Sequence, residues 1–299
     1  MKIRTYVISC SLLALELCAD TTWTNGSLDF TWATSTNWSA GVPNLSSTTA
    51  NFTGTAPGTI TVAGGPYSVA TLNFTGGNYI ISGSGSGGTL NLYTSITTAG
   101  TAGNTNINCP IALQGISTDS ILITPATAIT IGGAITGSAG LTITGSQIVT
   151  FSSSGGNAYT GTTTLNGGST LAASTGVHLN NFSSGSIVTI SATSKLNLHS
   201  TPNSVASING TGTVELGSGV LTLAAASGTF SGKITDTTLG GGLTITAGNL
   251  TLSPLPSRLN DYFGATTLSG SGTLTSGTSG AFSINSAVTV SSGGTLALS

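Results

Sequence analysis

Asn157-Ala-Tyr-Thr-Gly-Thr-Thr-Thr-Leu-Asn-Gly-Gly-Ser-Thr-Leu171 recurs downstream as Asn260-Asp-Tyr-Phe-Gly-Ala-Thr-Thr-Leu-Ser-Gly-Ser-Gly-Thr-Leu274. Nine of the fifteen aligned positions are identical: the Asn, Tyr, Gly, Thr-Thr-Leu, Gly and Thr-Leu positions. Ahead of each copy stands the same pentapeptide, Gly140-Leu-Thr-Ile-Thr144 and Gly242-Leu-Thr-Ile-Thr246. The two matches are offset by 103 and 102 residues, an agreement that composition alone rarely produces. Repetition of this kind points to stacked structural units rather than to an active site.

Around these copies the chain is a series of short alternating runs broken by Gly, Ser or Asn. Examples are Thr59-Ile-Thr-Val62, Val69-Ala-Thr-Leu-Asn-Phe74, Asn78-Tyr-Ile-Ile81 and Thr89-Leu-Asn-Leu92. Others are Ile121-Leu-Ile-Thr124, Ile129-Thr-Ile131, Ile187-Val-Thr-Ile190, Leu196-Asn-Leu198 and Val220-Leu-Thr-Leu223. Apolar residues alternating with Thr, Asn or Ser mark half-buried strands. Glycine interrupts too often for a helix of several turns, so past residue 19 the chain is expected to be all-β. A sandwich or Greek-key barrel needs hairpin turns at short intervals, yet Asn-Gly occurs only at Asn25, Asn166 and Asn209. A stacked parallel β-helix of about 10–13 coils suits the length better, and would make a rod about 50–60 Å long.

Composition agrees. Asp, Glu, Lys and Arg make up 4% of the 299 residues, against about 25% in ordinary domains. Between Phe30 and Ser194 the one formal charge is Asp119. A mean hydropathy of +0.35 and 44 glycines exclude a charged disordered chain. In a parallel ladder the backbone satisfies its own amides without charged side chains. No basic patch exists to neutralise phosphates, which excludes nucleic acid as a partner.

The second copy, with Leu250-Thr-Leu-Ser253 between its pentapeptide and its Asn-x-Tyr-x-Gly-x-Thr-Thr-Leu run, resembles the autotransporter-associated β-strand repeat. Thr229-Phe-Ser-Gly-Lys-Ile234 is similar to the segment that precedes that family's Gly-Gly-Leu strand. The run Trp23 to Asn51, with Asn37-Trp-Ser-Ala-Gly-Val-Pro-Asn44, is similar to the opening of such bacterial passenger domains. The resemblance implies a right-handed, single-stranded parallel β-helix and export; it implies no substrate.

Residues 1–19 read as a secretory signal peptide: Lys2 and Arg4, an apolar run from Tyr6 to Leu15, then Leu17-Cys-Ala19 before a mature start at Asp20. The run is too short to span a membrane as a helix, and a lipoprotein reading at Cys18 lacks the small residue expected before the cysteine. Cys10 and Cys18 belong to this leader, which leaves Cys109 alone and no intramolecular disulfide. Residues 20–52 carry Trp23, Trp32 and Trp38 and are expected to cap the first coil; the alternative is a tryptophan platform for sugars. Residues 53–299 would form the β-helix. At the far end Gly293-Gly-Thr-Leu-Ala-Leu-Ser299 stops in a strand motif that echoes Gly87-Gly-Thr-Leu-Asn-Leu92. Either the chain is a truncated passenger without its barrel, or that last edge pairs with a partner.

The acids past the leader are Asp20, Asp29, Asp119, Glu215, Asp236 and Asp261; the bases are Lys195, Lys233, Arg258, His178 and His199. Glu215, Asp236 and Asp261 are spaced by about one coil, so a carboxylate stripe like that of a polysaccharide lyase or hydrolase is arithmetically allowed, with the three cations beside it. Surface charge is the plainer reading. His178 and His199 lack companions at ligand spacing. Gly83-Ser-Gly-Ser-Gly-Gly88 fits a G-x-G-x-x-G pattern but precedes a strand rather than a helix. Thr59-Ile-Thr61, Thr142-Ile-Thr144 and Thr244-Ile-Thr246 would turn paired hydroxyls outward, a surface that can order water or ice.

The sequence therefore leads to an exported, non-enzymatic β-helical protein, passenger-like, at the bacterial cell surface, outer membrane or medium, acting in adhesion or surface structure. No catalytic residue, cofactor or metal ligand is assigned. The expected partners are a glycan or protein ligand on a host or other surface, and a second copy through the C-terminal strand edge. Membrane association would need an anchor that the sequence does not identify. The alternatives are a carbohydrate-active β-helix enzyme and an ice- or surface-binding solenoid.

Overall fold

A computed structural model describes residues 20–54, 58–84, 88–116, 120–176 and 180–298. The chain forms an all-β solenoid of parallel strands stacked in about 11 turns. The only helical turn among the described residues is the 3-10 turn Ser35–Asn37, and no helix there is long and apolar enough to cross a membrane. The signal-peptide reading, with Cys10 and Cys18, lies outside the described residues. Every alternating run singled out in the sequence contributes a strand. Ile129–Ile131, Ile187–Ile190 and Val220–Leu223 match residue for residue.

Each turn lays strands on up to three faces. The first face is the main path of a sixteen-stranded sheet, from Thr21–Thr22 and Leu45–Phe52 through Gly140–Thr144 and Thr163–Asn166 to Thr295–Ala297. The second is a nine-stranded sheet from Thr59–Ala63 to Lys233–Thr235. The third begins with Ile111–Leu113, Ile135–Gly137 and Ala158–Tyr159 and resumes as a five-stranded sheet from Asn203–Val205 to Val288–Val290. Near the start, the nine-residue strand Leu90–Thr98 bends round a corner: Leu90–Leu92 pair with Ile111–Leu113, and Ser95–Thr98 pair with residues 122–125. The exposed residues Tyr93 and Thr94 form the bend.

Like residues stack inside, as strict parallel register requires. On the first face Ile123, Ile143, Leu165 and Ile190 are in register, and on the second Val149, Leu171, Leu196, Val214 and Ile234. All are at most 1% exposed, and each contributes about 1.5–3 kcal/mol by burial. Rungs of the first face are spaced unevenly, from 20 residues between Ile123 and Ile143 to 29 between Thr22 and Asn51.

That unevenness has a consequence for the repeat. Gly140–Thr144 and Thr163–Asn166 lie on the first face, whereas Gly242–Ile245 and Thr266–Leu268 lie on the third. Thr170–Ala173 is on the second face and its counterpart Thr273–Ser276 on the first. The two copies are thus displaced by one face and are not the same coil met again.

Candidate functional site

The repeated motif builds a buried polar corner. Asn157 Oδ1 accepts the Ile135 N–H at 2.7 Å, and its Nδ2 donates to the Asn181 carbonyl at 2.5 Å, so one amide ties three turns together. The Tyr159 hydroxyl lies 2.7 Å from Thr163 Oγ1, which lies 2.8 Å from Ser186 Oγ. Ser183 and Ser186 donate to the carbonyls of Tyr159 and Gly161. A Cβ at Gly161 would run into the backbone of Ala139 and Gly140, so glycine is the residue that lets these turns approach. Burial pushes the Tyr159 phenol up to about 12. Alternation turns Thr163 to the same inner side as Leu165, and it is fully buried there as the middle of this relay.

Several charged side chains hold places where regular pairing stops, while Lys195 and Glu215 lie within paired strands of the second face. Asp29, in the segment before the 3-10 turn, accepts the Thr31 N–H at 2.9 Å, the Thr34 hydroxyl at 2.7 Å and the Asn37 amide at 2.6 Å. These bonds, that of Thr31 first, hold its carboxyl well below the usual range. Asp20 accepts the Thr49 N–H at 3.0 Å. At the other end the second face stops at Lys233–Thr235, and the following coil crosses it as a loop over residues 253–263. Arg258 reaches back across the face to the Thr211 carbonyl at 3.1 Å and to Thr213 Oγ1 at 2.9 Å. Asp236 Oδ2 accepts the N–H groups of Gly240, Gly241 and Phe263. Lys233 pairs with Asp261, and Lys195 with Glu215, each at 2.6 Å.

The three carboxylates spaced one coil apart in sequence do reach one side of the solenoid, but they do not form a column. Glu215 is in register with Thr235, Asp236 follows that strand, and Asp261 sits in the crossing loop. Each has an oxygen engaged by a lysine or by loop amides. Among the described residues no group of three or more His, Cys, Asp or Glu is placed to hold a metal ion.

His199 closes a turn with its N–H on Asn197 Oδ1 and its Nδ1 2.9 Å from the Ala173 carbonyl; His178 and Asp119 lie outside the described residues. Cys109 is buried, and burial pushes its thiol up to about 12. Residues 85–87 of the glycine-rich run are outside the described residues; Gly83 is the penultimate residue of the second-face strand Tyr79–Ser84, where a Cβ would meet the Gly88 carbonyl at 2.9 Å. Trp23, Trp32 and Trp38 are at most 6% exposed and pack edge to face with centroids 5.0 and 4.8 Å apart, which leaves no open ring face for a sugar. The three Thr-Ile-Thr copies fall on three different sheets.

Two uncharged grooves open on the surface. One, of about 400 Å³, is lined by Ala226 to Thr229, Asn249 and Thr251 on the first face; the other, of about 330 Å³, includes Gly155, Gly156, Asn180 and Ser184. No protein-family model, curated protein or solved structure matches the chain.

Proposed function

We propose that this is an exported, non-enzymatic solenoid that serves in adhesion or in a cell-surface structure through its long faces. One observation carries the reading. Asp20, Asp29, Lys195, Glu215, Lys233, Asp236, Arg258 and Asp261 are each engaged with backbone, a hydroxyl or an opposite charge of the solenoid itself. Engagement of this kind suits charges that hold the solenoid together, and among the described residues it gives each charged side chain at least one contact within the solenoid. The sequence resemblance to exported passenger domains and the leader-like first nineteen residues support export.

Protease shaving of intact source cells, with medium and periplasm assayed beside it, tests the placement. Cell-bound protein that external protease removes is the expected result; a periplasmic pool untouched by protease overturns it.

A second reading, a carbohydrate-active enzyme, draws on the meeting of Glu215, Asp261, Lys195 and Lys233 on neighbouring turns. It predicts that Glu215→Gln or Asp236→Asn abolishes release of reducing ends from a polysaccharide. The non-enzymatic reading predicts no release from wild type or either variant.

A further inference from the structure

We infer that the outward side of the sixteen-stranded sheet binds a neutral polysaccharide, seated in the groove formed by Ala226–Thr229, Asn249 and Thr251. This deepens the non-enzymatic reading above and rests on it. The sheet register draws together residues that look scattered in sequence. One column starts at Thr49 and Thr71, passes the buried Ser95 and the exposed Leu122, and continues outward through Thr142, Thr164 and Thr189. Asn209 follows, and because Gly210 is in register with Phe230 it stands beside Thr229. Thr251 and Thr275 complete the run. A second column, two residues along, passes through Asn51, Asn73, Thr97 and Thr124. Neither column carries a charge or an aromatic ring.

The groove is a built depression in this face. Strand Thr229–Phe230 is only two residues long, and the chain enters it through Gly228 at a φ of +83°. A Cβ at Gly228 would stand 2.6 Å from the Asn209 amide, and one at Gly248 would meet the Ala226 carbonyl. Ser227 is held down by its N–H on Ser207 Oγ at 2.9 Å. These small residues keep the corner low between Thr229 and Asn249. The depression holds about 400 Å³ and lies open along the face, a shelf for an extended chain rather than an enclosing pocket.

Chemistry then narrows the occupant. The hydroxyls of Thr164, Thr189, Thr229 and Thr251 make no hydrogen bond to the described chain and are free to donate and accept outward. Rungs about 4.8 Å apart repeat that offer at a step comparable to one pyranose ring. A polyanion finds no cation here, since Lys195, Lys233 and Arg258 are engaged on the second face. Without a stacking ring each sugar binds weakly, so affinity must grow with chain length as successive rungs engage.

Affinity electrophoresis of the full chain through gels holding dextran, mannan, a mixed-linkage β-glucan or polygalacturonate tests this, with reducing ends assayed in the same samples. Retardation by at least one neutral polymer, unchanged by added salt, is expected. Thr229→Val with Thr251→Val keeps the strand shape and removes two hydroxyls, and should weaken retention about tenfold. Thr130→Val with Thr150→Val, outward on the second face, should change it less than twofold. Retention by polygalacturonate alone, equal loss in both double variants, or no retention by any neutral polymer overturns the proposal. So does ice adsorption lost in the first pair with no polymer bound. Release of reducing ends would instead overturn the non-enzymatic reading, whatever the retention.

Discussion

Asn157 sits beside a third-face strand and Asn260 beneath a second-face strand, yet the two side chains make the same bonds. Asn157 takes the Ile135 N–H and gives to the Asn181 carbonyl; Asn260 takes the Ile234 N–H at 2.7 Å and gives to the Ala281 carbonyl at 2.6 Å. Tyr262, Thr266 and Ser286 repeat the hydroxyl relay at 2.6 and 2.8 Å. Ser283 and Ser286 donate to the carbonyls of Tyr262 and Gly264, as Ser183 and Ser186 do to Tyr159 and Gly161. A motif that keeps its bonds while changing face is a portable corner. Its asparagine and tyrosine are fixed by the need to satisfy buried backbone where a coil turns without a long strand.

The copies differ in their surroundings. The first lies deep in the stack, with Ser186 fully buried and Asn181 and Asn203 buried beyond it. In the second, Ser286 is partly exposed, and Arg258 in the preceding loop braces it against earlier coils. Paired substitutions should read out that difference. Asn157→Ala removes the side chain that accepts from the buried Ile135 N–H and donates to the Asn181 carbonyl and should cost about 3 kcal/mol in chemical denaturation. Asn260→Ala should cost less, about 2 kcal/mol, because the relay beside it ends at the partly exposed Ser286, although Asn260 itself is 3% exposed against 9% for Asn157. Equal losses would mean that depth in the stack does not matter.

Alkali offers a smaller effect with a defined direction. Burial raises the phenols of Tyr159, to about 12, and Tyr262, against about 10 in an unfolded chain. Both are acids whose neutral form the fold favours. The Tyr159 contribution is therefore complete below pH about 10 and falls as pH rises toward about 12, and that of Tyr262 falls in the same direction. Tyr159→Phe should flatten the loss of stability across that window, measured as denaturation midpoint against pH; an unchanged slope would place the titration elsewhere. The smallest effect belongs to the brace found only in the second copy. Arg258→Ala should change global stability by less than about 1 kcal/mol, as for other exposed charged contacts. It should nevertheless open residues 253–263 to limited proteolysis, which the first copy's Ser152–Gly156 segment would not share.

Much of this was legible in the residues. Alternation located the strands, the scarcity of charge pointed to a ladder that satisfies itself, and the repeat pointed to stacking. Register was not legible, because rungs of 20 to 29 residues carry no fixed period. For that reason the outward threonine column looked scattered, and the displacement of the repeat by one face was hidden. Alternation places Thr163 and Thr266 inward with Leu165 and Leu268, but it could not show that they join a hydroxyl relay. Their signal was the joint recurrence of Tyr, Gly and Thr at fixed spacing in both copies. The crossing loop escaped notice because Pro254 and Pro256 mark only where a strand cannot run; the reach of Arg258 to Thr211 depends on tertiary packing.

The most direct test is native-state hydrogen exchange at the Ile135 and Ile234 amides in wild type, Asn157→Ala and Asn260→Ala. If the motif is a portable corner, each variant loses protection at its own amide and leaves the other unchanged. Loss at both amides in either variant, or at neither, would contradict that role.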